Sequence, residues 1–305
     1  MAQKQLVIIA GPTAVGKTNI AIRVAEHFGT EIISADSRQC YREMSIGTAK
    51  PTKEEQARVK HYFIDSHSVA EELNAADYEQ LALGYCAAIF EDKDVAVVCG
   101  GTGLYIRALC EGIDSMPATD RVIEQALQQE YEQKGIGWLQ QVTAAEDPEF
   151  FAIAEQQNPA RLIRALAFRR STGSSIVHYR SGTIKERPFG ILKIALELPR
   201  QELYHRIDRR VDQMMIDGLW EEAETLYPMR RLKNLQTVGY SELFDCFDGR
   251  ISKSEAIALI KQHSRNYAKR QLTWFRKDKD YHWYSPWESE ALLAFISKAL
   301  EAHES

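Results

Sequence analysis

An apolar run, Leu6-Val7-Ile8-Ile9-Ala10, predicts a short buried strand at the head of the chain. Residues 19–28 change period: Ile20, Ala21, Val24, Ala25 and Phe28 recur at helical spacing, and Gly29 ends the pattern as a C-cap. A second short strand is predicted over 31–35, followed by the polar stretch Asp36-Ser37-Arg38-Gln39. Loop residues Gly47 and Pro51 precede a charged helix at 53–60, and 61–65 reads as another short strand. Tyr78, Leu81, Tyr85, Ala88 and Ile89 form the inward stripe of a helix over 77–90. Val95 to Cys99 is a better-defined buried strand that runs into Gly100-Gly101-Thr102-Gly103 and a helix at 104–110.

The alternation then stops. Residues 112–120 read as a connector, with Thr119 or Asp120 as an N-cap, and the following stretch is helical with no convincing strand. Its stripes are Val122, Ala126, Leu127, Tyr131; then Trp138, Leu139, Val142; then Phe150, Phe151, Ile153. Pro159 opens a helix carrying Arg161, Arg164, Arg169 and Arg170. Strand character returns at 190–198, followed by one long helix over 201–227 and a small loop, Thr237 to Tyr240, that enters another helix. A long helix spans 254–277, an edge strand 281–285, and a closing helix 287–303. The pattern predicts an α/β fold: a P-loop NTPase-like core with a central, mostly parallel sheet flanked by helices. That core spans 1–113 and 186–305, and an all-helical insertion occupies 114–185.

Composition narrows the class. At 45% hydrophobic and 27% charged, the 305 residues suit a soluble globular chain of one large or two ordinary domains. No apolar run approaches the roughly 20 residues of a membrane span, and no signal peptide is expected ahead of the first strand. The five scattered cysteines lack a CxxC pair, which argues against a disulfide framework and a structural zinc site and for a reducing cytoplasm. A net charge of −5 does not advertise a nucleic-acid binder, but cations are concentrated locally.

The strongest chemical signal is Gly11-Pro12-Thr13-Ala14-Val15-Gly16-Lys17-Thr18, set between a strand and a helix. That is the context of a phosphate-binding P-loop: glycines let backbone N–H groups converge on an anion, Lys17 adds a cation, and the Thr18 hydroxyl can ligate Mg²⁺. Asp36 lies past the end of the second strand, where ligands bind in open α/β sheets; it fits either a functional carboxylate or a turn cap. Glycines stand at the end of the strand Val95 to Cys99, where many P-loop enzymes carry a metal-holding Asp, so Asp36 is the best remaining carboxylate. Thr102 fits a donor to phosphate or base, or a helix cap. Arg206 and Arg210, four apart on a helix, can act on one anion. The arginines at 161–170 fit a basic binding surface or a solvated face equally. In 254–277, Lys261, Arg265, Lys269, Arg270, Arg276 and Lys277 alternate with Tyr267, Trp274 and Phe275, a mixture suited to RNA.

Further runs join these landmarks: Ser34 to Gln39 with Tyr41, Ile46 to Pro51, His61 to Asp65, Ala75 to Tyr78, and Gly100 to Tyr105. In the second half come Asn158 with Pro159, Arg161-Leu162, Arg164-Ala165-Leu166, Arg206 to Arg210, Val238 to Tyr240, and Ala268 to Trp274. In this order the chain resembles the tRNA dimethylallyltransferase family over nearly its whole length. The resemblance implies transfer of a dimethylallyl group from dimethylallyl diphosphate to the N6 amine of the adenine 3′-adjacent to the anticodon, with release of diphosphate. It implies that the P-loop cradles that diphosphate, with Mg²⁺ at Thr18, and that Asp36, Thr102 and Arg210 are catalytic. It places tRNA on Asp36, Ser37, Arg38, Gln39 and Thr102, on Ala160, Arg161, Leu162, Ile163 and Arg164, on Gln236, Thr237, Val238, Gly239, Tyr240 and Ser241, and on Lys269 and Arg270. The insertion would grip the anticodon stem-loop. The expected partners are tRNA and dimethylallyl diphosphate, with no membrane, no obligate protein partner and a cytoplasmic location. The competing readings are a P-loop small-molecule kinase and a prenyltransferase acting on free adenine nucleotides.

Overall fold

The computed structural model describes residues 4–302. They fall into two compact units, Met1–Gly112 with Glu186–Ser305, and Ile113–Lys185.

The first unit is built on six strands: β1 (Gln5–Ala10), β2 (Ile32–Ser34), β3 (His61–Tyr62), β4 (Val95–Gly100), β5 (Gly190–Leu196) and β6 (His282–Tyr284). They form one sheet in the order β3-β2-β4-β1-β5-β6, with every pairing parallel. A parallel sheet is covered on both faces, so its central strand reads as an unbroken apolar run rather than an alternating one. That is why all six residues of β1 are buried. Each fully buried Ile or Leu there contributes about 1.5–3 kcal/mol of transfer free energy.

The covering helices are α1 (Lys17–His27), α2 (Lys53–Arg58), α3 (Ala75–Asp92) and α4 (Gly103–Glu111) before the insertion. After it come α8 (Arg200–Ile216), α9 (Leu219–Leu226), α10 (Tyr240–Phe247), α11 (Lys253–Phe275) and α12 (Ser289–Ala302). The apolar faces of α1, α8 and α12 meet β1 and β5 in one core that includes Ile20, Val24, Leu203, Ile207, Leu292 and Ile296.

Two expectations change. The strand expected at 61–65 stops after Tyr62, because Phe63 and Asp65 take positive φ of 60° and 51° and turn the chain away. The single helix expected over 201–227 breaks at Gly218, whose φ of 103° lies in the left-handed region. The break swings α9 so that the Glu222 carboxylate accepts from the amides of Ser45, Ile46 and Gly47 at 2.8–3.0 Å. His303, the expected end of the closing helix, lies outside the described residues.

The second unit holds α5 (Arg121–Glu146), α6 (Pro148–Ile153) and α7 (Pro159–Thr172), with no strand among its described residues. α5 kinks at Gly135, where φ is 76° and ψ −177°. Leu127, Leu139, Phe150, Leu162, Leu166 and Phe168 form a separate core.

The chain re-enters the sheet past Arg187. Its guanidinium is buried against Glu79 at 2.8 Å and also donates to the carbonyls of Ala108 and Leu109 at 2.9 and 2.8 Å. A buried charge pair needs these extra bonds to offset its desolvation. They tie the return strand to the ends of α3 and α4.

Candidate active site

Strands β2, β4 and β1 are neighbours and parallel, so the loops after them emerge side by side at one edge of the sheet. Those loops carry Asp36, Thr102 and the P-loop respectively.

Gly11 and Gly16 have φ of 146° and 106°, and Ala14 has φ of 64°. A Cβ on Gly11 would lie 2.8 Å from the carbonyl oxygen of Leu196, so the loop passes too close to β5 for any side chain there. Gly16 is the N-cap of α1; no side chain caps that helix and no acid stands in its first turn. The first amides of α1 are therefore free for an anion, with the helix dipole behind them. Lys17 Nζ donates to the Pro12 carbonyl at 2.8 Å. Burial brings its pKa down to about 8; the charge of Arg210 pushes the same way, and Cys99 and Asp36 oppose it.

Arg206 and Arg210 reach the loop from successive turns of α8. Arg210 donates to the Thr13 hydroxyl at 3.2 Å, and Arg206 to the Val15 carbonyl at 3.4 Å. Burial, then the neighbouring Arg206, lowers the pKa of Arg210, and Asp36 works against that shift. The guanidinium of Arg206 lies 5.3 Å from the centre of the exposed Trp287 ring. Three cations thus converge on the loop that leads into the uncapped N-terminus of α1.

Asp36 caps the turn that follows β2. Its Oδ1 accepts from the amides of Arg38 and Gln39 at 2.8 and 3.3 Å, which fixes the turn after β2. Its Oδ2 takes part in neither bond. Thr102 makes no capping bond to α4. Its hydroxyl instead accepts from the Ser37 amide at 3.0 Å and hydrogen-bonds the hydroxyl of Tyr267, whose pKa burial pushes up to about 12. The β2 and β4 loops are thereby locked together.

The glycines around Thr102 follow from the same crowding. A Cβ on Gly100 would sit 2.2 Å from the Ala35 carbonyl oxygen, one on Gly101 2.2 Å from the Gln271 side chain, and one on Gly103 2.2 Å from Trp274. This accounts for the missing acid after Cys99: a Cβ at Gly100 or Gly101 would collide with the Ala35 backbone or the Gln271 side chain.

Other expected contact residues turn inward. Leu162 and Ile163 are buried in the core of the second unit, so their side chains are closed to RNA; Ala160, Arg161 and Arg164 are exposed. Tyr240 is fully buried and donates to Glu222 at 2.6 Å, and its ring fills the space where a Cβ on Gly47 would lie. Gly239 is buried beside it, Thr237, Val238 and Ser241 are half-buried, and Gln236 is exposed. The Gln39 carboxamide is occupied by the carbonyls of Thr48 and Ala49 at 3.2 and 3.1 Å.

Two of the α7 arginines do have compensating acids, supplied from outside that helix. Arg170 pairs with Glu146 through two bonds of 2.9 and 2.7 Å, and Arg161 meets Glu155 at 3.2 Å. Arg164 has no acid partner among the described residues. In α11, Lys261 and Arg265 pair with Asp212 and Asp208, and Arg276 at its C-cap pairs with Glu197, whereas exposed Lys269 and Arg270 have no ion pair among the described residues. Gln271 and Tyr267 went unrecognised as site residues. The signal available was their i, i+4 spacing on one face of α11.

A family model described as IPP transferase matches residues 39–278. The chain belongs to the IPP transferase family. It is 45% identical over 298 residues to the tRNA dimethylallyltransferase of Cytophaga hutchinsonii, with 98% of each chain covered. Its identity to tRNA dimethylallyltransferase 1 of Bacteroides fragilis is 42%, over 99% of this chain and 100% of that one. Among solved structures, the tRNA isopentenylpyrophosphate transferase of Bacillus halodurans superposes with a TM-score of 0.73 at 36% identity, covering 99% of this chain and 98% of that one. A eukaryotic dimethylallyltransferase acting on tRNA superposes at 0.78 with 23% identity, covering 99% of this chain and 80% of its own, and is evidence for the fold alone. The parallel sheet with its P-loop is thus the P-loop NTPase-like core of the IPP transferase family. Among the described residues no helix is long and apolar enough to cross a membrane.

Proposed function

We propose that this IPP transferase moves the dimethylallyl group of dimethylallyl diphosphate onto the N6 amine of the adenine 3′-adjacent to the anticodon in tRNA. One juxtaposition carries the reading. Asp36 and Thr102 stand beside a P-loop faced by Lys17, Arg206 and Arg210, so a carboxylate for an amine adjoins a cradle for a leaving anion. In the transfer, the bond between C1 of the prenyl group and the diphosphate oxygen breaks and its electron pair leaves with the diphosphate. C1 bonds to N6, and the N6 proton passes to Asp36 Oδ2. The P-loop amides, Lys17 and Arg210 stabilise the charge that grows on the diphosphate. The Thr102 hydroxyl, held by Ser37 and Tyr267, orients the incoming base. The target adenine is stacked in RNA and has to be extruded to reach this site.

Mg²⁺ fits with limits. Among the described residues no group of three or more His, Cys, Asp or Glu side chains could hold a metal ion. A cation here would take the Thr18 hydroxyl and draw its remaining hard-oxygen ligands from the diphosphate, with the Asp36 carboxylate nearby. When bound, it would neutralise charge on the leaving group.

For RNA, the residues that fit are exposed Gln236, Lys269 and Arg270 with half-buried Arg38 on the first unit, and exposed Ala160, Arg161 and Arg164 on the second, of which Arg164 has no ion pair among the described residues. A cytoplasmic enzyme of tRNA is the consistent setting. Arg164→Ala should reduce the slope of log Kd for tRNA against log salt by about one. Arg170→Ala should leave the slope unchanged, since that arginine is committed to Glu146. Filter binding across a salt series checks both; an unaltered slope for Arg164→Ala removes α7 from the RNA surface.

The function is tested by offering labelled dimethylallyl diphosphate with an unmodified anticodon stem-loop, and separately with AMP. Label should enter only the RNA, as N6-prenyladenosine on digestion. Label in AMP alone would make the protein a free-nucleotide prenyltransferase.

A further inference from the structure

Within the run Lys269 to Trp274, cations face out and one polar residue faces in. Gln271 is only 6% exposed, an uncommon place for a carboxamide unless both its ends are satisfied. They are. Its Oε1 accepts from the Thr13 amide at 2.8 Å, and its Nε2 donates to the Gly101 carbonyl at 2.9 Å. The partners fix the orientation of the group, since an amide N–H can only donate and a carbonyl only accept. The carboxamide lies so close on the backbone that a Cβ at Gly101 would come within 2.2 Å of Nε2. One turn earlier on α11, Tyr267 hydrogen-bonds Thr102; one turn later, Trp274 abuts Gly103. Gln271 is thus a single side chain spanning the P-loop and the β4 end, the two backbone segments on which the proposed reaction partners rest.

We propose that Gln271 is a positioning residue: its carboxamide sets the spacing between the diphosphate cradle and the Thr102 end of β4, and so between leaving group and acceptor amine. The inference rests on the function proposed above. Glutamine is the side chain that meets the demand. Glutamate has the reach but no donor for Gly101. Asparagine has both groups but falls short by one carbon–carbon bond, about 1.5 Å. Reacting atoms held about 1 Å out of place lose about 10²-fold in rate while binding is largely kept.

The test uses the full chain, saturating unmodified tRNA and labelled dimethylallyl diphosphate, with the single-turnover rate, both substrate Kd values and Tm measured. Gln271→Met should slow the single turnover by about 10²-fold and leave both Kd values within about threefold. Gln271→Asn should fall between Met and the parent, a partial rescue that follows the chemistry rather than the volume of the side chain. A merely structural glutamine gives the opposite: Tm drops and the rate per folded molecule stays within about threefold of the parent. That result overturns the inference. If Gln271→Met does not fold, an undiminished rate for Gln271→Asn overturns it equally. A parent chain that prenylates RNA beside an equally fast variant removes this inference alone, whereas a parent that prenylates no RNA removes the proposed function as well.

Discussion

Asp36→Asn is expected to slow prenyl transfer by about 10²–10⁴-fold, the usual worth of a positioned general base, with tRNA affinity held within about threefold. The asparagine keeps an oxygen that can accept from the Arg38 and Gln39 amides, so the turn after β2 survives. What it loses is the negative charge and the second carboxylate oxygen, Oδ2, which takes part in neither turn bond. The adenine amine is a poor nucleophile because its lone pair is delocalised into the ring; removal of its proton as the new bond forms is where the carboxylate acts. Single-turnover kinetics with saturating tRNA isolate that step. Equal losses in rate and in tRNA binding would instead assign Asp36 to the architecture of the turn.

The second large effect belongs to Lys17. Lys17→Met should lower kcat/KM for dimethylallyl diphosphate by about 10²–10³-fold, since it removes a preorganised cation from the place where negative charge develops. Its buried setting adds a pH signature. With its pKa brought down to about 8, Lys17 is cationic below that pH and loses its proton above it. A bound diphosphate favours the charged form, so binding raises this pKa and takes up a proton above pH 8. Affinity should therefore hold its Lys17 contribution below pH 8 and fall by up to about tenfold per pH unit above it. Calorimetric titrations from pH 7 to 10 check the slope, and Lys17→Met should flatten it. A fall of the same steepness in the variant would assign the titration to another group.

These effects draw on residues whose legibility in the sequence differed for physical reasons. The P-loop was readable because phosphate binding needs local backbone geometry, which eight consecutive residues encode. The strands were readable where burial was complete or nearly so, as in β1 and β4. Sequence order could not supply the adjacency of β2, β4 and β1, since hydrogen bonding between distant strands decides it. The helix break at Gly218 was overlooked because the apolar spacing on either side is compatible with one continuous helix. Basic residues were the least legible. A guanidinium reads alike whether it faces RNA or is matched by an acid from another helix, as Glu146 matches Arg170. The run Lys269 to Trp274 combined two roles: its cations stay outside, but its glutamine turns inward to the P-loop. Tyr240 lay within a recognised motif, and its burial against Gly47 and Glu222 depends on a contact nearly two hundred residues away.

The central claim is that the P-loop holds a leaving group and not a phosphoryl donor. The direct measurement uses dimethylallyl diphosphate carrying tritium in the prenyl group and radiophosphorus in the diphosphate, with tRNA, Mg²⁺ and ATP present. The account predicts tritium in the tRNA, radiophosphorus released as inorganic diphosphate in equal amount, and ATP untouched. Radiophosphorus retained on the RNA, or ATP consumed while the prenyl donor remains intact, would contradict it.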